Sequence, residues 1–180
     1  MSKSKSDPVH LHEGKHLRFV RRGRWEYAER RGISGAVVIV AVTKEGRLLF
    51  TEQFRPPVNR PVIELPAGLA GDIPGEESEA FATAARRELL EETGYEAARM
   101  KRLAGGPASA GVSNEIVTFF LATGLRKVGA GGGDEHEDII VHAVPLPRVT
   151  GWLRRKEQEG AMIDVKIFAG LYFLNGGKPV

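Results

Sequence analysis

The chain is 180 residues long, 42% apolar and 27% charged, with 22 Gly, 10 Pro and no Cys. That length suits one domain with a short appendage and is enough to bury a core, while the missing cysteine excludes disulfides, thiolate metal sites and thiol nucleophiles. The net charge of +3 is uneven, with nine Lys/Arg against four Asp/Glu in residues 1–31 and a slightly acidic remainder. The basic arm therefore reads either as a contact for a phosphate-bearing ligand, nucleic acid included, or as a solvated terminus, and charge does not decide between them.

Residues 1–14 are polar and are expected to be disordered or loosely attached. From His16 to Arg30, apolar Leu17, Phe19, Trp25 and Tyr27 alternate with Arg and Glu, which predicts short strands. Ile33–Val42 is rich in β-branched residues and predicts a buried strand. The turn Lys44-Glu-Gly-Arg47 then leads into the return strand of a hairpin at Leu48. The longest clean apolar run, Ala36–Val42, is seven residues, against the roughly 20 of a membrane helix. No apolar stretch follows the first basic residues, as a secretory signal requires, so a cytoplasmic protein is expected. Pro56-Pro57 interrupts the pattern before a short strand at Val62–Leu65, ended by Pro66-Ala-Gly68.

Glu76–Thr93 holds no Gly or Pro and is dominated by Ala, Glu, Leu and Arg, which predicts a helix with an acidic first turn and Gly94 at its C-terminal end. Ile116–Leu121 and Ile139–Val144 read as strands on either side of a flexible loop, Gly129-Ala-Gly-Gly-Gly133. Leu146–Glu159 and Asp164–Leu174 read as helices, the second on the spacing of Val165, Phe168, Ala169 and Tyr172. Without internal repeats, this pattern describes an α+β protein, an α/β/α sandwich with a mixed sheet between helices and an N-terminal β-strand region.

The chemistry concentrates in Arg87-Glu-Leu-Leu-Glu-Glu-Thr-Gly-Tyr95. On a helix, Glu88 and Glu92 lie about 40° apart and Glu91 about 60° to the other side of Glu88. Three carboxylates in one turn repel each other. Either solvent and the neighbouring arginines relieve that, or a cation does, and a hard-oxygen cluster suits Mg²⁺. The setting favours the cation, because the Gly/Pro loop Leu65-Pro-Ala-Gly-Leu69 offers carbonyls and Gln53-Phe-Arg55 a phosphate-binding group.

This segment resembles the core of the Nudix box, the signature of hydrolases that cleave a nucleoside diphosphate linked to another moiety. The box asks for a Glu eight positions before the Arg, which Glu79 supplies, and for a Gly six positions before that, where this chain has Ile73. Gly68 precedes Glu79 by eleven positions, so the chain carries about five extra residues there. On an unbroken helix Glu79 would point away from Glu88, which leaves it at most a secondary ligand.

The motifs Gln53-Phe-Arg-Pro-Pro57, Glu64-Leu-Pro-Ala-Gly-Leu69, Gly111-Val-Ser-Asn-Glu115, Glu137-Asp-Ile and Asp164-Val-Lys-Ile are similar to the ADP-ribose pyrophosphatase branch of that family. The resemblance implies Mg²⁺-dependent cleavage of nucleoside diphosphate sugars, with ADP-ribose giving AMP and ribose 5-phosphate, and with Mn²⁺ as a substitute metal. It assigns the metal to Glu88, Glu91, Glu92 and the carbonyl of Ala67, and pairs Arg87 with a carboxylate of its own helix. Substrate falls to Arg55, Trp25, Glu26 and Arg30. The general base falls to Glu137, with Glu135 second, on the loop after the glycine run.

Bland readings stand beside these: Trp25 as a core or dimer contact, Gln53 and Glu64 as loop supports, and the 134–138 carboxylates as a solvated loop. The resemblance also implies a homodimer through residues 1–31, beside a catalytic domain at 32–180, with no membrane and no nucleic-acid partner. The alternatives are a hydrolase of GDP-mannose, of a broad range of nucleoside diphosphate sugars, of oxidised nucleotides or of dinucleotides, a capping or RNA-processing hydrolase to which the basic arm lends slight support, and a Nudix-like regulatory protein without catalysis. The presence of all three box glutamates counts against the regulatory reading.

Overall fold

Residues 7–133 and 138–177 are described by a computed structural model. The first strands, β1 (Val9–Glu13), β2 (Leu17–Arg22) and β3 (Trp25–Arg30), form an antiparallel sheet in that order. The alternation at 17–30 thus reads correctly. Residues 9–13, expected to be loose, instead pair with β2, Val9 opposite Arg21 and Glu13 opposite Arg18. A strand too polar to bury a face is held by its ladder.

β4 (Gly35–Ala41) is the buried strand the β-branched run predicts, and it organises the domain. It pairs antiparallel with β7 (Ala67–Ala70) and parallel with β9 (Ile116–Lys127), whose other neighbour is β8 (Tyr95–Pro107). A second sheet runs β10 (Ile140–Pro145), β5 (Arg47–Arg55), β6 (Arg60–Glu64), β11 (Met162–Ile163). The expected hairpin is therefore only a corner. Val42 and Leu48 make one bridge, after which β4 and β5 part into different sheets. Pro66-Ala-Gly68 follows the end of β6 at Glu64, as expected, and also leads into β7, with the Pro66 carbonyl accepting from Ile39 N–H at 2.8 Å.

Alternate β4 side chains face two cores. Val37, Ile39 and Ala41 pack with Ala84, Ala85 and Leu89 of α1 (Phe81–Thr93), while Val38 and Val40 pack with Val149 and Leu153 of α2 (Val149–Gln158) and Ile167 of α3 (Lys166–Leu174). Burying a Leu or Ile side chain contributes about 1.5–3 kcal/mol, and Leu89, fully enclosed, seats α1 on the sheet. Helices thus cover both faces of a mixed sheet, the expected sandwich.

α1 begins at Phe81, not Glu76, and its first turn holds no acidic residue. Gly94 ends it as predicted, in the left-handed region at φ 70° with its N–H on Leu90 O. Among the described residues no helix is long and apolar enough to cross a membrane.

Candidate active site

β7 is an edge strand, and the carboxylates of α1 cover its open edge. Glu92 Oε2 accepts from Ala67 N–H at 3.0 Å, and Glu88 Oε1 accepts from Leu69 N–H at 3.2 Å. The predicted shared face of Glu88 and Glu92 is therefore the face turned to β7. Between those two contacts lies Gly68, where an added Cβ would fall 1.9 Å from the Glu88 carboxyl carbon. Glycine at 68 is required by this close approach and not by backbone conformation. Gly68→Ala is expected to push Glu88 out of place and, in the metal-binding reading proposed below, to lower turnover by roughly 10–100-fold. Steady-state kinetics beside a melting curve check this; activity within threefold of wild type would refute it.

Arg87 is the electrostatic centre of the site. Its Nη2 contacts Asp72 Oδ1 at 2.9 Å and Glu79 Oε2 at 3.2 Å and donates to Leu69 O at 2.9 Å, while Nη1 contacts Glu88 Oε1 at 2.9 Å and Glu91 Oε2 at 3.2 Å. Burial works against the guanidinium charge, but Glu79, Glu88 and Asp72 outweigh it and hold the group further toward its charged form. Two of these partners come from its own helix, as expected. Glu79 comes from the segment before it, with its side chain 3% exposed and also accepting from Gly71 N–H. Glu79 holds Arg87, which is how the five extra residues are used: they form turns that bring Glu79 back over the helix.

Burial pushes the Glu88 carboxyl up to about 7; Glu91 and Asp72 push in the same direction, and Arg87 opposes. One guanidinium shared among four carboxylates leaves Glu88 short of positive charge in a place where water cannot make up the difference. Hard oxygen donors with that deficit fit a divalent cation. Among the described residues, no three His, Cys, Asp or Glu side chains already converge on a point that would hold one, since Glu88 and Glu91 lean on Arg87 and Glu92 on Ala67.

A cavity of about 520 Å³ opens beside α1. Ala67, Glu88 and Glu91 line it, as do Arg55 and Arg30. Arg55 Nε donates to Glu64 Oε2 at 2.7 Å, and burial raises the Glu64 carboxyl although Arg55 opposes it. Arg30 Nε meets Glu115 Oε1 at 2.5 Å. Five of the expected site residues thus share one cavity. Glu92, 3% exposed, lies behind the Ala67 contact.

Trp25, 55% exposed, lines a separate pocket with Arg22, Tyr27 and Ser113. Glu26 is exposed on β3 opposite Arg21 and does not line the large cavity. Glu135 and Glu137 lie outside the described residues. The sequence reading gave no site role to Asp72, Glu115 or Lys166, all of which line the cavity. The signal for the last two was present in the quoted motifs that end at Glu115 and contain Lys166.

A family model described as the NUDIX domain matches residues 33–162. The chain belongs to that family. It is 35% identical over 123 residues to the methanol dehydrogenase activator of Bacillus methanolicus, covering 68% of this chain and 64% of that protein. It is 42% identical over 138 residues to the ADP-ribose pyrophosphatase of Mycobacterium tuberculosis (strain ATCC 25618 / H37Rv), covering 76% of this chain and 63% of that protein. The chain thus spans just under two thirds of the length of both relatives. A crystal structure of an ADP compounds hydrolase superposes with a TM-score of 0.63 at 20% identity, covering 82% of this chain and 80% of that one, which supports the NUDIX fold.

Proposed function

We propose that this NUDIX protein hydrolyses the diphosphate bond of nucleoside diphosphate sugars, with ADP-ribose as the leading substrate and AMP and ribose 5-phosphate as products. The observation that carries the reading is the mixed charge of one cavity, where carboxylates of α1 meet Arg55 of β5, Arg30 of β3 and Lys166 of α3. A diphosphate held by the guanidinium groups, beside carboxylates that would hold its counter-cations, matches that charge pattern. The ADP-ribose pyrophosphatase relative supports the choice of substrate.

In this reading Glu88, Glu91, Glu92 and the Ala67 carbonyl hold Mg²⁺, with Mn²⁺ able to replace it. When bound, the ions neutralise the diphosphate and make water a better nucleophile. Arg87 keeps Glu88 and Glu91 in place. Arg55 binds a phosphate oxygen and stabilises charge that grows there as the bond breaks. Glu137, or Glu135 in its place, takes the proton of the attacking water, a role that contributes roughly 10²–10⁴-fold. Trp25 stacks on the base, reaching it across a homodimer interface built by residues 1–31, and Glu26 and Arg30 contact substrate. The setting is the cytoplasm.

A panel of ADP-ribose, GDP-mannose, other nucleoside diphosphate sugars and capped RNA, assayed with Mg²⁺ and with EDTA, tests this. Release of AMP from ADP-ribose, lost in EDTA, is expected. Preference for GDP-mannose would replace the substrate, and no release from any member would remove the catalytic reading. Within the same assay, the larger drop between Glu137→Gln and Glu135→Gln identifies the base.

A further inference from the structure

An α-helix leaves its last four carbonyls without partners and concentrates negative potential at that end. α1 ends at Thr93 with two adjacent carboxylates, Glu91 and Glu92, in its last turn and no basic residue there. α2, by contrast, carries Arg155 and Lys156 in its last turn. Anionic side chains at a helix C-terminus are disfavoured, and beyond the Arg87 contact with Glu91 the last turn of α1 must find positive charge and donors outside the helix.

It receives both. All four final carbonyls have donors: Leu90 O accepts from Gly94 N–H at 2.8 Å, Glu91 O from Gly133 N–H at 3.1 Å, Glu92 O from Gly132 N–H at 2.8 Å, and Thr93 O from Lys127 Nζ at 2.9 Å. Lys127 also donates to Ala130 O at 3.2 Å and stands 4.7 Å from the Tyr95 ring centre. Gly129 N–H adds a bond to Gly94 O at 3.1 Å. The approach is so close that a Cβ on Gly131, at φ 75°, would lie 2.4 Å from Thr93 C and 2.7 Å from Glu92 O. The run read from sequence as a flexible loop is, over 129–133, docked on α1 backbone to backbone.

We propose that Lys127 and the Gly129–Gly133 run form a clasp on the last turn of α1 and act as positioning residues for the carboxylates of Glu91 and Glu92. The inference rests on the metal reading above. It explains why five residues of low side-chain content lie there, and why a lysine on β9 reaches across to a helix end. A carboxylate is aimed by the backbone that carries it, and this backbone is fixed at each carbonyl of the turn.

The test is Mn²⁺ binding to the intact chain, followed by electron paramagnetic resonance at 25 °C without substrate, beside far-ultraviolet circular dichroism and melting curves. Lys127→Met and Gly131→Ala are expected to raise the Mn²⁺ Kd by roughly tenfold, with Lys127→Arg close to wild type. Leu153→Ala, in the core under α2 and remote from the clasp, supplies a destabilised control and is expected to keep the wild-type Kd. Unchanged Kd in both folded clasp variants overturns the proposal, as does an equal rise in Leu153→Ala, which would make the effect one of stability. Failure of the wild-type chain to bind Mn²⁺ would instead remove the metal reading itself.

Discussion

Glu92→Gln is expected to lower kcat for ADP-ribose by roughly 10²–10³-fold, the equivalent of several kcal/mol at 1.36 kcal/mol per factor of ten, while leaving the melting temperature nearly unchanged. The asymmetry follows from where Glu92 sits. The residue is 3% exposed and its carboxylate accepts from Ala67 N–H, and a carboxamide oxygen in the same place can also accept that bond. The shape and the edge contact survive, while the negative charge that would hold a divalent cation does not. The measurement is kcat at saturating Mg²⁺ together with a thermal melt. More than a tenth of wild-type turnover would take Glu92 out of the site.

Arg87→Met is expected to fail in the opposite order, through stability first. The substitution leaves Glu79, whose side chain is 3% exposed, and Glu88 without their cation. Removing one partner from a buried ionic cluster costs about 3–5 kcal/mol. For a chain of this size that corresponds to a drop in melting temperature on the order of 10 °C. Arg87→Lys recovers only part of it, because an ammonium cannot span Asp72, Glu79, Glu88, Glu91 and the Leu69 carbonyl together as the guanidinium fork does. Adding Mg²⁺ is expected to restore some stability to Arg87→Met, as the cation replaces the missing charge on Glu88. A melting temperature within 2–4 °C of wild type, about 1 kcal/mol, would show that solvent can serve the cluster.

The large elements were legible wherever one local preference agreed with the final packing. The run at 35–41 could only be a buried strand, and Gly94 stands where a helix must stop. Reading failed where a distant partner overruled the local preference. Residues 76–80, Glu-Glu-Ser-Glu-Ala, favour a helix, yet they form turns because Arg87 and the Gly71 amide recruit Glu79 and because Ser34 Oγ donates to Glu77 O at 2.9 Å. β8 was missed altogether. Its Ala97-Ala-Arg-Met-Lys-Arg-Leu-Ala104 stretch consists of good helix formers without alternation, and it is extended because β9 pairs with it from Tyr95 to Pro107.

The site shows the same division. Spacing on one helix singled out Glu88, Glu91 and Glu92 as candidates, because a helix converts sequence distance into angle, and Glu88 and Glu91 line the cavity. Glu64 of β6, Glu115 just before β9 and Lys166 of α3 enter the cavity from distant parts of the chain; the quoted motifs contain them, but no spacing within one element records that they meet.

The parallel pairing of β4 with β9, and of β6 with β11, has a bearing on how the chain is made. Ala36 meets Leu69 on one flank, but its parallel partner is Val117, and Val62 meets Gln53 on one flank, but its parallel partner is Met162. A nascent chain leaving the ribosome therefore carries Val37–Ala41 with one flank open until most of the protein has been translated, a sticky intermediate of the kind that non-local strand pairing prolongs. Expression in cells should be limited by aggregation during synthesis more than by the stability of the finished fold, and slower translation or chaperone supply is the remedy that topology suggests.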